Sequence, residues 1–404
     1  MVVYQIYPRS FQDSSGDGTG DLPGVTARLD HLAWLGVDAL WLSPIHPSPM
    51  ADGGYDVADY TTVDPLFGTD ADLDALIARA HALGLKVLLD IVPCHTSIAH
   101  PWFTEHPERY VWAPPGRPVP NNWQAAFGGP AWSPDPHGRG HYLHSYYPEQ
   151  PDLDWRRADV REAFAEILGG WRARGVDGFR LDALQRLGKD PALRDEPPAS
   201  GPFPFPLPPG QAALALRHSG DAPATDDALA ALTAAAGADA FLVGEVYLPA
   251  ARLPRYLKHL DAAFSFDLLF CPFAAAPLAE AIRAGAAAGP MAWVLGNHDH
   301  PRPVSRHGAD AARALTLLLL FLPGVACVYQ GDELGLADGP GGPHLDPPYD
   351  RFGRDAMRHP PPWEQDAPQH GFTSGTPWLP VFDAADGAAD VQRERPGSPL
   401  RLHR

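Results

Sequence analysis

Short apolar runs that end in polar residues alternate along the chain with stretches of helical period. The runs are VVYQIYP near residue 4, ALWLSP near 41, KVLLDIV near 89, GFRLDA near 180, FLVGEV near 243, FSFDLL near 266, AWVLGNHD near 295 and VACVYQG near 328. Continuous apolar runs of this length predict parallel strands buried on both faces. Between the second and third, DADLDALIARAHALGLK has apolar residues at i, i+3, i+4 and i+7, and Gly84 supplies a helix stop. DALAALTAAAGAD predicts a helix between the fourth and fifth runs, after an irregular loop EPPASGPFPFPLPPG. Eight strands alternating with helices predict an α/β fold, a (β/α)₈ barrel.

Two segments break the alternation. Residues 95–155, rich in Pro, Trp, Tyr and Gly, are too long for an ordinary strand-to-helix loop, so they are expected to form an inserted subdomain over the barrel mouth. The barrel then comprises residues 1–94 and 156–381. After GTPWLPV the pattern dissolves, and residues 382–404 are expected to be an irregular, poorly ordered tail.

A length of 404 residues leaves room for a barrel of about 250 residues with insertions. The net charge of −18 repels phosphate backbones and anionic lipid, which points away from nucleic-acid and membrane partners and towards a small neutral substrate. No apolar run reaches the roughly 20 residues of a membrane span, and the N-terminus has no signal-peptide pattern, so the cytoplasm is the expected location. Cys94, Cys271 and Cys327 lie far apart in apolar contexts and are expected to be buried, reduced thiols.

Acids and imidazoles collect at the C-terminal ends of the expected strands: Asp90 and His95, Arg180 and Asp182, Glu245, then Asn297, His298 and Asp299. In a barrel these ends converge on one face. A lone Asp at a strand end is often a cap or turn former, but acids and histidines at the ends of separate strands have no common capping explanation. Three carboxylates and an arginine suit glycoside hydrolysis with retention, in which one carboxylate attacks and another protonates the leaving oxygen. Arg180, two residues before Asp182 on one strand face, is placed to keep that carboxylate ionised and oriented. Glu245 in apolar FLVGEVY is expected to have a raised pKa suited to acid duty.

DIVPCH, GFRLDA, GEVY and GNHD, with QPDLDW and YQGDELG, stand in an order that resembles family 13 of the glycoside hydrolases, the α-amylase family. The resemblance runs from YQIYPRSF to GFTSGTPWLPV and is strongest to the α-glucosidase and oligo-1,6-glucosidase branch. It implies a glycoside hydrolase with Asp182 as nucleophile, Glu245 as general acid/base and Asp299 as transition-state stabiliser. It also implies that Asp52, Tyr55, His95, Arg180, His298 and Arg354 hold a terminal glucose. Phe127 and Tyr146 correspond to aromatics near the pocket, or serve local packing. The implied reaction is double displacement on a terminal, α-1,4-linked glucose, the linkage resting on Ala183 after the nucleophile. Transglucosylation and isomerisation of sucrose or maltose are alternatives on the same site.

In DSSGDGTGD, glycines separate Asp13, Ser15, Asp17 and Asp21, a spacing that forms a polar turn or wraps a hard cation. The segment resembles the family's calcium loop, which implies a structural Ca²⁺, or Mg²⁺, held by Asp13, Ser15, Asp17, Thr19 and Asp21, with no cofactor in catalysis. Two departures stand out. Cys94 replaces the usual Asn or Ser before His95, and no C-terminal β-sandwich domain is expected after PWLP.

Overall fold

The computed structural model describes residues 1–200, 206–207, 210–340, 350 and 352–404. Its strands are β1 (Val2–Ile6), β2 (Ala39–Leu42), β3 (Lys86–Ile91), β4 (Trp132–Pro134), β5 (His141–Leu143), β6 (Gly178–Leu181), β7 (Phe241–Gly244), β8 (Ala262–Ser265), β9 (Met291–Val294) and β10 (Val325–Tyr329). Eight of them close into a parallel barrel in the order β1-β10-β9-β8-β7-β6-β3-β2. The short antiparallel pair β4 and β5 lies within the insertion after β3.

The two-residue period of a strand sorts this barrel's side chains. Val3, Trp41, Leu88, Val243, Phe264, Val294 and Cys327 pack together in the lumen, whereas Tyr4, Leu40, Leu42, Val87, Leu89 and Phe179 join the outer core beneath the helices. Two residues beyond several of these lumen residues the inward row turns polar, giving Gln5 after Val3, Asp90 after Leu88 and Glu245 after Val243. The sequence thus writes an apolar plug and, one layer higher, a polar floor.

The helix Asp70–Ala82 shows how local signals fix the outer ring. Thr69 accepts the Asp72 N–H while the Asp72 carboxylate takes the Thr69 N–H, a reciprocal cap. Leu73, Leu76, Ile77 and Ala80 bury one face, and Gly84 turns the chain at φ +77°.

Two expectations need correction. FSFDLL is not one strand: β8 is Ala262–Ser265, and Phe266–Leu269 form a helical turn. A short apolar run has no periodicity that separates the two states. Nor are residues 382–404 an irregular tail. They carry helices Ala389–Glu394 and Pro399–His403, the second opened by Ser398 as cap and Pro399 at its first turn. Gln392 is buried and donates to the Leu334 and Gly387 carbonyls, and Arg393 stacks 4.3 Å from the Trp34 ring centroid. The basic side chains that read as disorder are used on an aromatic face of the barrel's first helical layer. Leu400 has 0% exposure, so Leu400→Ala is expected to cost about 2–5 kcal/mol, visible as a lowered urea midpoint. Of the loop EPPASGPFPFPLPPG, residues 201–205 and 208–209 lie outside the described residues. Among the described residues no helix is long and apolar enough to cross a membrane.

Candidate functional site

Asp182 and Glu245 stand one residue past β6 and β7, yet the ladder carries on through them: the Asp182 N–H donates to the Ile91 carbonyl at 2.9 Å and the Glu245 N–H to Leu181 at 2.8 Å. Their side chains are therefore aimed by the sheet. Between them stands Arg180, almost fully buried, which donates through Nη1 to Asp90 Oδ1 at 2.8 Å and Asp182 Oδ1 at 2.6 Å, and through Nη2 to Glu245 Oε2. Asp182 and Glu245 are thus held side by side on one guanidinium, and an acid and nucleophile pair needs one proton between the two. Burial pushes the Glu245 carboxyl well above the usual range; Arg180 opposes this and the neighbouring Asp182 adds to it. The proton thus belongs to Glu245.

Asp90 plays a different part. Its second oxygen accepts from Trp41 Nε1 and Tyr55 Oη, both at 2.9 Å. Held in this way, it anchors Arg180 and the Tyr55 ring and does not line the cavity.

Asp299 completes the acidic set from the end of β9. Arg354 Nη1 donates to it at 2.9 Å and Arg358 Nη2 at 3.3 Å, and His298 Nε2 lies 3.2 Å away. Burial works to raise this carboxyl, but His298, Arg354 and Arg358 outweigh it and hold Asp299 well below the ordinary range. Arg354 also donates to Asp52 Oδ1 at 2.5 Å, and the other Asp52 oxygen accepts from Gln150 Nε2 at 2.8 Å. Gln150 Nε2 in turn lies 3.0 Å from His95 Nε2. His298 stacks on Tyr55, with centroids 5.0 Å apart, and receives Gln5 Nε2 on Nδ1 at 2.8 Å. Burial lowers the pKa of both His95 and His298, so each is a neutral ring offering hydrogen bonds instead of charge.

Asp52, Tyr55, His95, Asp182, Glu245, Asp299 and Arg354 line one cavity of about 610 Å³, with Arg180 and His298 in contact with them from behind. Phe127 and Tyr146 are in its wall and are also packed, Phe127 against Tyr146 at 5.4 Å, Tyr147 at 4.5 Å and Phe352 at 4.9 Å, with the Arg354 guanidinium 5.3 Å from its ring. All eleven residues expected at the site therefore meet around one space or directly beneath it. Sequence reasoning gave no part to Gln5, Trp41, Gln150 or Arg358. Gln150 opens the quoted QPDLDW motif and had a signal of its own; the other three look like ordinary strand and loop residues.

The glycine-rich loop is arranged differently. Asp13 accepts hydrogen bonds from the backbone N–H groups of Ser15, Gly16 and Gly18, and Asp21 from those of Ser14 and Gly24. Asp17 accepts from the Thr19 N–H, and the Thr373 hydroxyl closes on Asp13. Among the described residues, Asp13, Asp17 and Asp21 do not bring carboxylate oxygens within one coordination sphere. The Asp and Gly spacing here closes a turn onto Thr373. The three cysteines are free and buried, and burial pushes the Cys94 thiol up.

Residues 5–396 match the model of the α-amylase catalytic domain. The chain belongs to the α-amylase family of glycoside hydrolases. It is 41% identical to a probable α-glucosidase of Rhizobium meliloti, over 100% of this chain and 80% of that protein. It is 34% identical to an oligo-1,6-glucosidase of Parageobacillus thermoglucosidasius, over 94% of this chain and 77% of that one. Among solved structures, the α-glucosyl transfer enzyme XgtA superposes with a TM-score of 0.92 at 41% identity, covering 100% of this chain and 82% of that chain. A trehalulose synthase, MutB, superposes at 0.86 and 31%, covering 100% and 82%.

Proposed function

We propose that this glycoside hydrolase is a retaining α-glucosidase that releases a terminal α-linked glucose from small α-glucosides by double displacement. The observation that carries the reading is the shared guanidinium: Asp182 and Glu245 sit on two nitrogens of Arg180. Two carboxyls held by one guanidinium suit the short separation of a retaining site, about 5–5.5 Å. Glu245 gives its proton to the glycosidic oxygen as Asp182 attacks C1 to form a β-glucosyl ester. Glu245 then removes a proton from water, which attacks C1 and frees α-glucose. Asp299, kept ionised by Arg354, Arg358 and His298, faces the positive charge that builds on the sugar ring. Asp52, Arg354 and the neutral His95 and His298 are placed to take sugar hydroxyls, and the Tyr55 ring offers an apolar surface.

The α-1,4 preference rests on Ala183. It packs in the outer core with φ +51°, so its influence on the pocket runs through the backbone that follows Asp182. Proton NMR of the first product from maltose tests the reading. The α-anomer should appear before mutarotation; β-glucose released first would overturn retention. A second reading, glucosyl transfer, is favoured by the likeness to the α-glucosyl transfer enzyme. In the same experiment at high maltose, trisaccharide approaching one per glucose released would select it, since hydrolysis gives two glucoses and no trisaccharide.

A further inference from the structure

Five arginines are buried among the described residues, and four of them have a carboxylate partner. Arg180 holds Asp90, Asp182 and Glu245; Arg302 holds Asp332; Arg354 holds Asp52 and Asp299; and Arg358 holds Asp299 and Asp355. Arg186 is the fifth. It is 8% exposed and lines the catalytic cavity, and among the described residues no carboxylate lies within 4.0 Å of it. Its side chain has one weak contact, Nη1 to Ser219 Oγ at 3.4 Å, and its Nε is buried without a partner. Nη2 donates to no described residue. A guanidinium removed from water and left unpaired is costly, so its position calls for an anion from outside the chain.

The groups around it are already committed. Ser219 Oγ donates to Glu196, whose carboxylate also takes the N–H groups of Arg217, His218 and Ser219. The nearby cation Lys189 is paired with Asp152 at 2.8 Å. Gln185 accepts the Tyr247 N–H at 3.3 Å, which leaves its amide NH₂ without a partner among the described residues. Arg186 and Gln185 are thus adjacent donors on one wall.

Chain direction says which part of a substrate would meet them. Past the strand ends of β6 and β7 the two segments stay in contact, as the Leu184 N–H donates to the Glu245 carbonyl and the Gln185 side-chain Oε1 takes the Tyr247 N–H. Residues 184–186 therefore climb away from the barrel floor beside residues 245–247, and Arg186 stands one step beyond the acid. The acidic and basic groups around Asp52 and Asp299 balance one another at the glucose end. Arg186 adds to the cavity that Glu245 also lines a positive charge with no carboxylate partner among the described residues.

We infer that the aglycone of the substrate carries an anionic group, a carboxylate or a phosphate ester, which Arg186 binds with help from Gln185. This deepens the α-glucosidase reading and rests on it for the orientation of the sugar. The test uses two matched pairs: α-glucosylglycerate with α-glucosylglycerol, and maltose phosphorylated on its reducing glucose with maltose. Calorimetry on the Asp182→Asn variant should show the anionic member of at least one pair binding about 10- to 100-fold tighter at low salt, the gap closing as salt rises. Adding Arg186→Gln should bring the ratio towards one, and Arg186→Lys should keep part of it. The two pairs separate carboxylate from phosphate. Equal affinity within both pairs, or a ratio that survives Arg186→Gln, overturns the inference. If wild type hydrolyses none of the four compounds while the anionic ones still bind more tightly, the α-glucosidase reading fails and the anion site stands.

Discussion

Asp182→Ala is expected to lose about 10⁴-fold or more in kcat on p-nitrophenyl α-glucoside, and added azide should restore part of it as β-glucosyl azide. The small anion takes the place vacated by the carboxylate and attacks C1 from the same side. Glu245→Ala should lose about 10²- to 10⁴-fold, least with the good p-nitrophenolate leaving group, and azide should then give α-glucosyl azide. In that variant Asp182 still forms the β-glucosyl ester, and azide displaces it from the other face. Opposite anomers from the two variants are the signature of the assignment; the same anomer from both would reverse or abolish it. The pH profile gives a linked result. Burial holds the Glu245 carboxyl well above its ordinary range, so kcat/KM of the wild type falls on the alkaline side as that proton is lost. Glu245→Gln should retain low activity without that alkaline limb.

Removing the central guanidinium should have an effect of a different kind. Arg180→Met leaves Asp90, Asp182 and Glu245 buried around an apolar side chain, and losing one partner of a buried charge set costs about 3–5 kcal/mol. The sign of its pH dependence follows from linkage. Without Arg180 these carboxyls have folded pKa values raised above their unfolded ones, so the folded state binds more protons than the unfolded state. Stability then falls as pH rises above the unfolded carboxyl range near 4. The gap in Tm between wild type and variant should widen from pH 5 to pH 8. A gap that narrows with rising pH would mean that Arg180 is not what balances the three acids.

Much of this was legible because it depends on strand period alone. Once Leu88, Arg180 and Val243 are placed on strands, the alternation of side chains puts Asp90, Asp182 and Glu245 on the inner face, and closure of the barrel brings them together. What could not be read depends on contacts across long separations. Gln5 meets His298 over 293 residues, and Arg354 meets Asp52 over 302; both members of the second pair were expected at the site from resemblance, but of the first only His298. The helix Pro399–His403 was hidden because its stability comes from packing against the barrel and from a tryptophan far back in the chain, with little from its own propensity. In DSSGDGTGD the composition allows a turn or a cation loop, and the turn's own hydrogen bonds depend on the direction of its N–H groups, which composition does not record.

The insertion after β3 looks like an appendage, since it has its own small hairpin and its own aromatic cluster. Its last turn says otherwise. Gln150 holds Asp52, Asp152 takes both Ser145 and Lys189, and Trp155 Nε1 donates to the Pro93 carbonyl at 2.7 Å. A chimera that exchanges residues 96–149 with a relative changes the wall of the pocket, whereas one whose crossover falls after Trp155 also replaces the strut that sets the glucose end. The safe seam for recombination runs through Glu149, inside the apparent module and short of its boundary.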